Sequence, residues 1–148
     1  SFQSKMYSSQ IQSSHKETES DNLELTEDQY NHVSEHTLTY LLDTIEESLL
    51  QTDIPVDEYE LDYFMGVLTI KLPFGTYVLN KQPPNKEIWL SSPISGPKRF
   101  KFNFENDSWT YTRTGDVLET LLQDELTQYL KWSFILDPQG FKTSSYSN

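Results

Sequence analysis

Apolar residues recur at helical spacing in the first third of the chain, and from Val56 onward they switch to the alternation of strands. Leu38, Leu41, Leu42, Ile45 and Leu49 make one helical stripe. Thr26, with Gln29 three residues on, fits a capping box, and Glu27 and Asp28 favour the positive end of the helix dipole. Pro55 disfavours helix in the residue before it, so the helix is expected to stop near Gln51 to Asp53. Short strands are predicted over 59–63, 67–72, 76–80, 87–91, 100–104 and 109–112. Clusters of Gly, Pro, Asn and Asp at 65–66, 73–75, 82–85, 93–97 and 105–107 separate them. A second helix is predicted after Gly115, with Asp116 as N-cap and Val117, Leu118, Leu121, Leu122, Leu126, Tyr129 and Leu130 as its apolar face. Beyond it, Trp132, Phe134, Ile135, Leu136 and Phe141 are too apolar for a free end, so they are expected to pack onto the helices before the chain frays near Thr143.

One helix, a run of antiparallel strands and one helix make an α+β protein. The expected architecture is a two-layer α-β sandwich, with two helices on one face of an antiparallel sheet and the other face open to a partner. Residues 1–22 are polar and Ser-rich and are expected to be disordered. Their first sixteen positions are basic and free of acids, like the remnant of an organellar transit peptide. The domain is placed at 23–136, and 137–148 form a tail that packs in part and then frays.

Charge changes this picture. The net charge is −12, and residues 17–70 carry fifteen acids without a Lys or Arg, whereas 71–148 carry eight acids and nine bases. Such a field repels nucleic acid and anionic lipid and attracts cations and basic protein surfaces. No apolar run approaches the roughly 20 residues that span a bilayer, so a soluble protein is expected. Cysteine is absent, which excludes a disulfide framework, a thiolate zinc site and an all-thiolate iron–sulfur site in this chain. The histidines at 15, 32 and 36 have no nucleophile at motif spacing, and no phosphate-binding glycine loop or EF-hand loop is present. No conventional active site can be nominated.

Three constellations remain. The first is the acidic side of the first helix. At 100° per residue, Asp28, Glu35 and Glu46 fall on one line, and His32, His36, Asp43 and Glu47 on a second. Asp53, Asp57, Glu58, Glu60 and Asp62 follow without an intervening base. Like charges four apart cost about 0.2–0.5 kcal/mol per pair. A divalent cation would relieve that repulsion, and Fe²⁺ accepts carboxylate and imidazole ligands. Ligands that do not converge would bind it weakly, and a solvated helix face accounts for the same pattern. The second is the hairpin 76–91. Pairing Tyr77 and Leu79 with Ile88 and Leu90 buries those four and leaves Asn80, Gln82, Glu87 and Trp89 on the outer face. Trp89 is then expected as an exposed indole in an amide-rich patch, the composition of an interaction hot spot; cover by the tail or a neighbouring strand is the alternative. Third, Asn85, Lys86, Lys98 and Arg99 bring positive charge to that patch, so the molecule is bipolar.

The run from Gly75 to Arg99, GTYVLNKQPPNKEIWLSSPISGPKR, resembles the central signature of the frataxin family. Gly66-Val-Leu-Thr-Ile is similar to the family's second strand, Leu118-Glu-Thr-Leu-Leu to its second helix, and Tyr30 to Glu47 to its acidic first helix. The resemblance covers about residues 24–136. It implies a mitochondrial matrix protein that works at the complex of cysteine desulfurase and iron–sulfur scaffold protein. By position it implies Fe²⁺ and desulfurase contacts at Glu35, Asp43, Glu46, Glu47, Asp57, Glu58 and Glu60, to which His36 is added as a metal candidate. It implies scaffold contacts at Asn80, Gln82, Asn85, Lys86, Trp89 and Arg99. Some members are described as iron donors for haem synthesis, which adds ferrochelatase as a partner, as iron-storing oligomers rather than monomers, or as ferroxidases. His36 and Asn31 stand where relatives often carry carboxylates, Lys101 where an acid is usual, and the link from Phe100 to Trp109 is about two residues longer.

Overall fold

The computed structural model describes residues 24–131, 135–137 and Gly140. Helix α1, Glu27–Leu50, opens on the expected capping box: the Gln29 amide donates to Thr26 Oγ1 at 3.1 Å and the Thr26 amide to Gln29 Oε1 at 2.9 Å. Six strands follow as a meander in sequence order, β1 (Glu60–Phe64), β2 (Val67–Leu72), β3 (Gly75–Gln82), β4 (Glu87–Ser92), β5 (Gly96–Asn103) and β6 (Ser108–Tyr111), each antiparallel to the next. Helix α2, Leu118–Leu130, closes the described domain. The architecture is the predicted α+β sandwich.

The hairpin register follows from burial, as expected: Leu79 faces Leu90, Asn80 faces Trp89 and Gln82 faces Glu87. Tyr77, Leu79, Ile88 and Leu90 are in the core with Leu38, Leu41, Ile45 and Leu49 of α1 and Leu118, Leu122 and Leu126 of α2. The turn between β1 and β2 is two residues, Met65 and Gly66, both at positive φ (49° and 77°). That geometry matches the twist of a tight hairpin and is easiest for glycine.

Several expectations are corrected. Asp116 does not cap α2: the cap residue is Val117, without a side-chain bond, while the Asp116 carboxylate accepts the Thr114 hydroxyl at 2.6 Å. Leu42 and Tyr129 belong less to the core than their spacing implies: Leu42 is half-buried at its margin, and Tyr129 is 43% exposed and packs on Phe74 at 5.4 Å. β5 starts at Gly96 rather than Phe100, since Pro97 to Arg99 pair with β4. In the tail, Leu136 is buried, but Ile135 is 71% exposed. Trp132, Phe134, Phe141 and the whole stretch 1–23 lie outside the described residues.

Candidate functional site

The acidic surface separates into parts that the sequence treats as one. Asp43, Glu46 and Glu47 stand exposed on α1, and Asp57 and Glu58 are exposed on a short 3₁₀ turn, Val56–Glu58. Glu60 Oε2 lies 3.6 Å from Lys71 Nζ, with both side chains mostly exposed. Glu35 is engaged differently. Its Oε2 accepts from Lys81 Nζ at 2.5 Å and from the Tyr63 hydroxyl at 2.6 Å. Burial alone would raise this carboxyl, but the bonds from Lys81 and Tyr63 and the lysine charge outweigh it and hold it below the usual range. His36 turns to the tail, where its Nε2 lies 2.7 Å from the Gly140 carbonyl oxygen. Among the described residues no group of three His, Asp or Glu converges on a point where a metal ion would sit. The exposed carboxylates that remain can hold a divalent cation one or two at a time, with water completing its shell.

Lys81 and Tyr63 are invisible as partners of Glu35 in the sequence because they come from strands 46 and 28 residues away. The lysine stem covers Gly66, whose missing Cβ would sit 3.4 Å from Lys81 Cδ. A folded-state carboxyl held low stabilises the protein above the ordinary carboxylate range, and the effect fades as pH falls through the folded value. Lys81→Met is therefore expected to cost about 1 kcal/mol near neutral pH and less near pH 4. Urea unfolding at the two values checks this; an equal cost at both would assign the loss to packing over Gly66.

On the other side of the sheet, the registers place Phe64, Val67, Asn80, Trp89 and Arg99 in one row across five strands. Trp89 is half-buried rather than exposed, because the Arg99 guanidinium lies over its ring at 4.6 Å. Its indole N–H donates to Glu87 Oε1 at 3.3 Å. Glu87 is only 6% exposed, although it faces outward. Asn85 is exposed at the hairpin end and Lys86 is half-buried there, in a left-handed conformation with φ 54°. Phe64 and Met65, 69% and 85% exposed, extend the row with an apolar end that the sequence reading missed. The missed signal was the two-residue turn, which leaves these side chains nothing to pack on.

Helix α1 fixes the hairpin end from the opposite face. The Tyr30 hydroxyl accepts from the Gln82 amide at 2.9 Å and donates to the Glu87 carbonyl at 2.7 Å. Burial is the main cause that pushes its pKa up to about 12, so the phenol stays protonated in both roles at neutral pH. The far turn is held by Glu125 of α2, which accepts from Tyr77 Oη at 3.2 Å, from Ser95 Oγ at 2.9 Å and from the Ser92 hydroxyl. Between Trp89, Pro97–Arg99 and Tyr111–Arg113 lies a groove of about 720 Å³.

Residues 23–132 match the family described as the Frataxin-like domain. The chain is 43% identical over 103 residues to mitochondrial frataxin of Arabidopsis thaliana, an alignment covering 69% of this chain and 54% of that one. To mitochondrial frataxin of Caenorhabditis elegans it is 41% identical over 108 residues, 71% of this chain and 77% of the relative. The chain spans 54% and 66% of the Arabidopsis and Schizosaccharomyces pombe relatives. Among solved structures it is similar to trimeric frataxin from the yeast Saccharomyces cerevisiae, complexed with ferrous iron, at TM-score 0.59 and 40% identity over 67% of this chain and 86% of that one. A frataxin from Psychromonas ingrahamii, 18% identical, shares the fold at TM-score 0.63 over 76% of this chain and 98% of its own.

Proposed function

The chain belongs to the frataxin family, and from that premise we propose that it is an accessory protein of iron–sulfur cluster assembly in the mitochondrial matrix. It binds the cysteine desulfurase–scaffold complex and accelerates sulfur transfer between them. The observation that carries this reading is the bipolar surface: a Trp89–Arg99 stack with polar neighbours on one face, and exposed carboxylates on α1 behind it. The aromatic anchor fits the scaffold, and its binding energy can favour a transfer-competent arrangement of the scaffold's loops. The carboxylates fit a basic surface of the desulfurase, so association weakens with salt. Sulfide production by the complex at low salt, with iron chelated, tests this. Clear acceleration is the expected result; none under those conditions counts against it.

A second reading, iron carriage with weak Fe²⁺ held on the acidic ridge, is favoured by the ferrous complex of the yeast family member. Storage in oligomers, ferroxidation and supply to haem synthesis by ferrochelatase belong to it. Asp43, Glu46 and Glu47 are the carboxylates free to take the cation, because Glu35 and His36 have other partners. Asp43→Asn/Glu46→Gln/Glu47→Gln is expected to abolish Fe²⁺ binding and to raise stability by about 0.5–1 kcal/mol through lost repulsion. Calorimetric titration and thermal unfolding read both. Stoichiometric iron binding that survives the triple change would exclude the ridge.

A further inference from the structure

The groove beside Trp89 lies where the sheet is incomplete. Of β5, only Phe100–Asn103 pairs with β6. Gly96–Arg99 has β4 on one side and, among the described residues, no strand on the other. Tyr111, Thr112 and Arg113 wall the notch where β6 stops short. Lys98 Nζ stands 5.9 Å over the Tyr111 ring, and Arg99 lies over Trp89. Lys98, Arg99 and Arg113 pair with no carboxylate among the described residues, in a chain of net charge −12. The one acid in the lining, Glu87, is buried and accepts a hydrogen bond from the indole N–H.

We propose that this notch takes an extended acidic segment of a partner polypeptide, which adds as a strand to the Gly96–Arg99 edge of β5 and sets its carboxylates against Lys98, Arg99 and Arg113. The inference deepens the sheet-face reading above and rests on it for the partner's identity, but not for the chemistry. An unpaired sheet edge offers main-chain donors and acceptors to any extended chain. Pro97 and Lys98 discourage neutral strands there, since proline removes a donor and the Lys98 ammonium, which donates to the Ser95 carbonyl at 2.9 Å but meets no carboxylate among the described residues, resists burial. An acidic strand turns the same charges into attraction, which makes the edge selective as well as open. A polynucleotide has no main-chain amides to pair with a sheet edge, and its denser charge meets more of the negative field of the rest of the chain. A second copy of this chain carries most of its described ridge acids on a helix and a turn. Among its described strands only the acidic edge strand β1, with Glu60 beside Lys71, has the shape to compete, so self-association is one outcome of the test.

The probe is a capped peptide of repeated Glu-Glu-Val, which carries Glu on both faces of an extended strand, because Lys98 and Arg99 lie on opposite faces of β5. Controls carry Lys in place of Glu, or N-methyl groups on alternate amides. Calorimetry and amide shifts of Gly96, Lys98 and Arg99 follow binding to the full chain. The Glu peptide is expected to bind and shift those amides, and to weaken with salt. Lys98→Gln/Arg113→Gln, which leaves the Trp89–Arg99 stack in place, is expected to weaken it about tenfold, and N-methylation to abolish it. Equal binding of the Lys peptide, indifference to N-methylation, or displacement by equimolar inorganic phosphate would overturn the proposal, the last by making the notch a small-anion site. So would self-association of the free protein that the double variant abolishes. The peptide assay contains neither desulfurase nor scaffold, so it can fail while sulfide acceleration stands, or succeed while that acceleration is absent.

Discussion

Trp89→Ala is expected to lower affinity for the proposed partner, the desulfurase–scaffold complex, by about 30-fold or more while the protein stays folded. Truncating a central aromatic anchor costs about 2 kcal/mol or more at a hot spot, which is that factor. The cost to the fold is smaller because the indole is only half-buried and its neighbours keep their supports. Arg99 loses its stacking surface, and the buried Glu87 loses one donor but still faces Lys101 across the strand pair. The hairpin end remains tied to α1 by the Tyr30 hydroxyl. A titration of sulfide production against protein concentration, with a melting curve alongside, measures both quantities. An unchanged titration with an intact melt would remove Trp89 from the interface.

Trp109→Ala does the reverse. This indole is 1% exposed, packs edge-on to Tyr30 at 6.2 Å and to Phe102 at 5.4 Å, and donates to Thr37 Oγ1 at 2.9 Å. Its removal opens a cavity at the meeting of α1, β5 and β6 and leaves a buried hydroxyl without its donor. The expected loss is about 3–5 kcal/mol, a large part of the 5–15 kcal/mol typical of a whole domain. Urea unfolding should show the midpoint falling far below that of the parent protein. Trp109→Phe, which keeps most of the packing, is expected to cost nearer 1–2 kcal/mol. If the alanine variant were as stable as the phenylalanine one, the surrounding core would have collapsed into the space.

These two tryptophans mark how far the sequence is legible. Alternation assigns Trp89 to the outer face because Tyr77, Leu79, Ile88 and Leu90 must be buried, and the register agrees. The same periodicity places Trp109 on a strand but cannot reveal Thr37, 72 residues away, as its hydrogen-bond partner. Long-range pairs escape a local reading in general. Glu35 looks like one more ridge acid until Lys81 and Tyr63 arrive from the sheet, and Glu125 looks like a solvent residue until Ser92, Ser95 and Tyr77 converge on it. Helix spacing fixes the direction of a side chain, not what the rest of the chain brings to meet it. The half-burial of Trp89 matches the alternative expectation, cover by a neighbouring strand: the register places Arg99 of β5 beside it, but that this side chain stacks on the ring depends on a rotamer.

The plain meander of the sheet has a kinetic consequence. Because each strand pairs only with its neighbour in sequence, every loop closed in building the sheet is short, and closure entropy grows with loop length. The sheet can therefore assemble hairpin by hairpin, without a long search for distant strands. Among the contacts far apart in sequence, Glu125 ties α2 to β3 and β4, and those that join α1 to β3, β4 and β6 are Glu35 with Lys81, Tyr30 with Glu87 and Thr37 with Trp109. Capture of the first helix by a preformed meander is then the entropically demanding event. Substitutions at Tyr30, and at the turn between β1 and β2 that is already formed at that event, are expected to slow refolding, whereas those at contacts made after the helix docks would chiefly hasten unfolding.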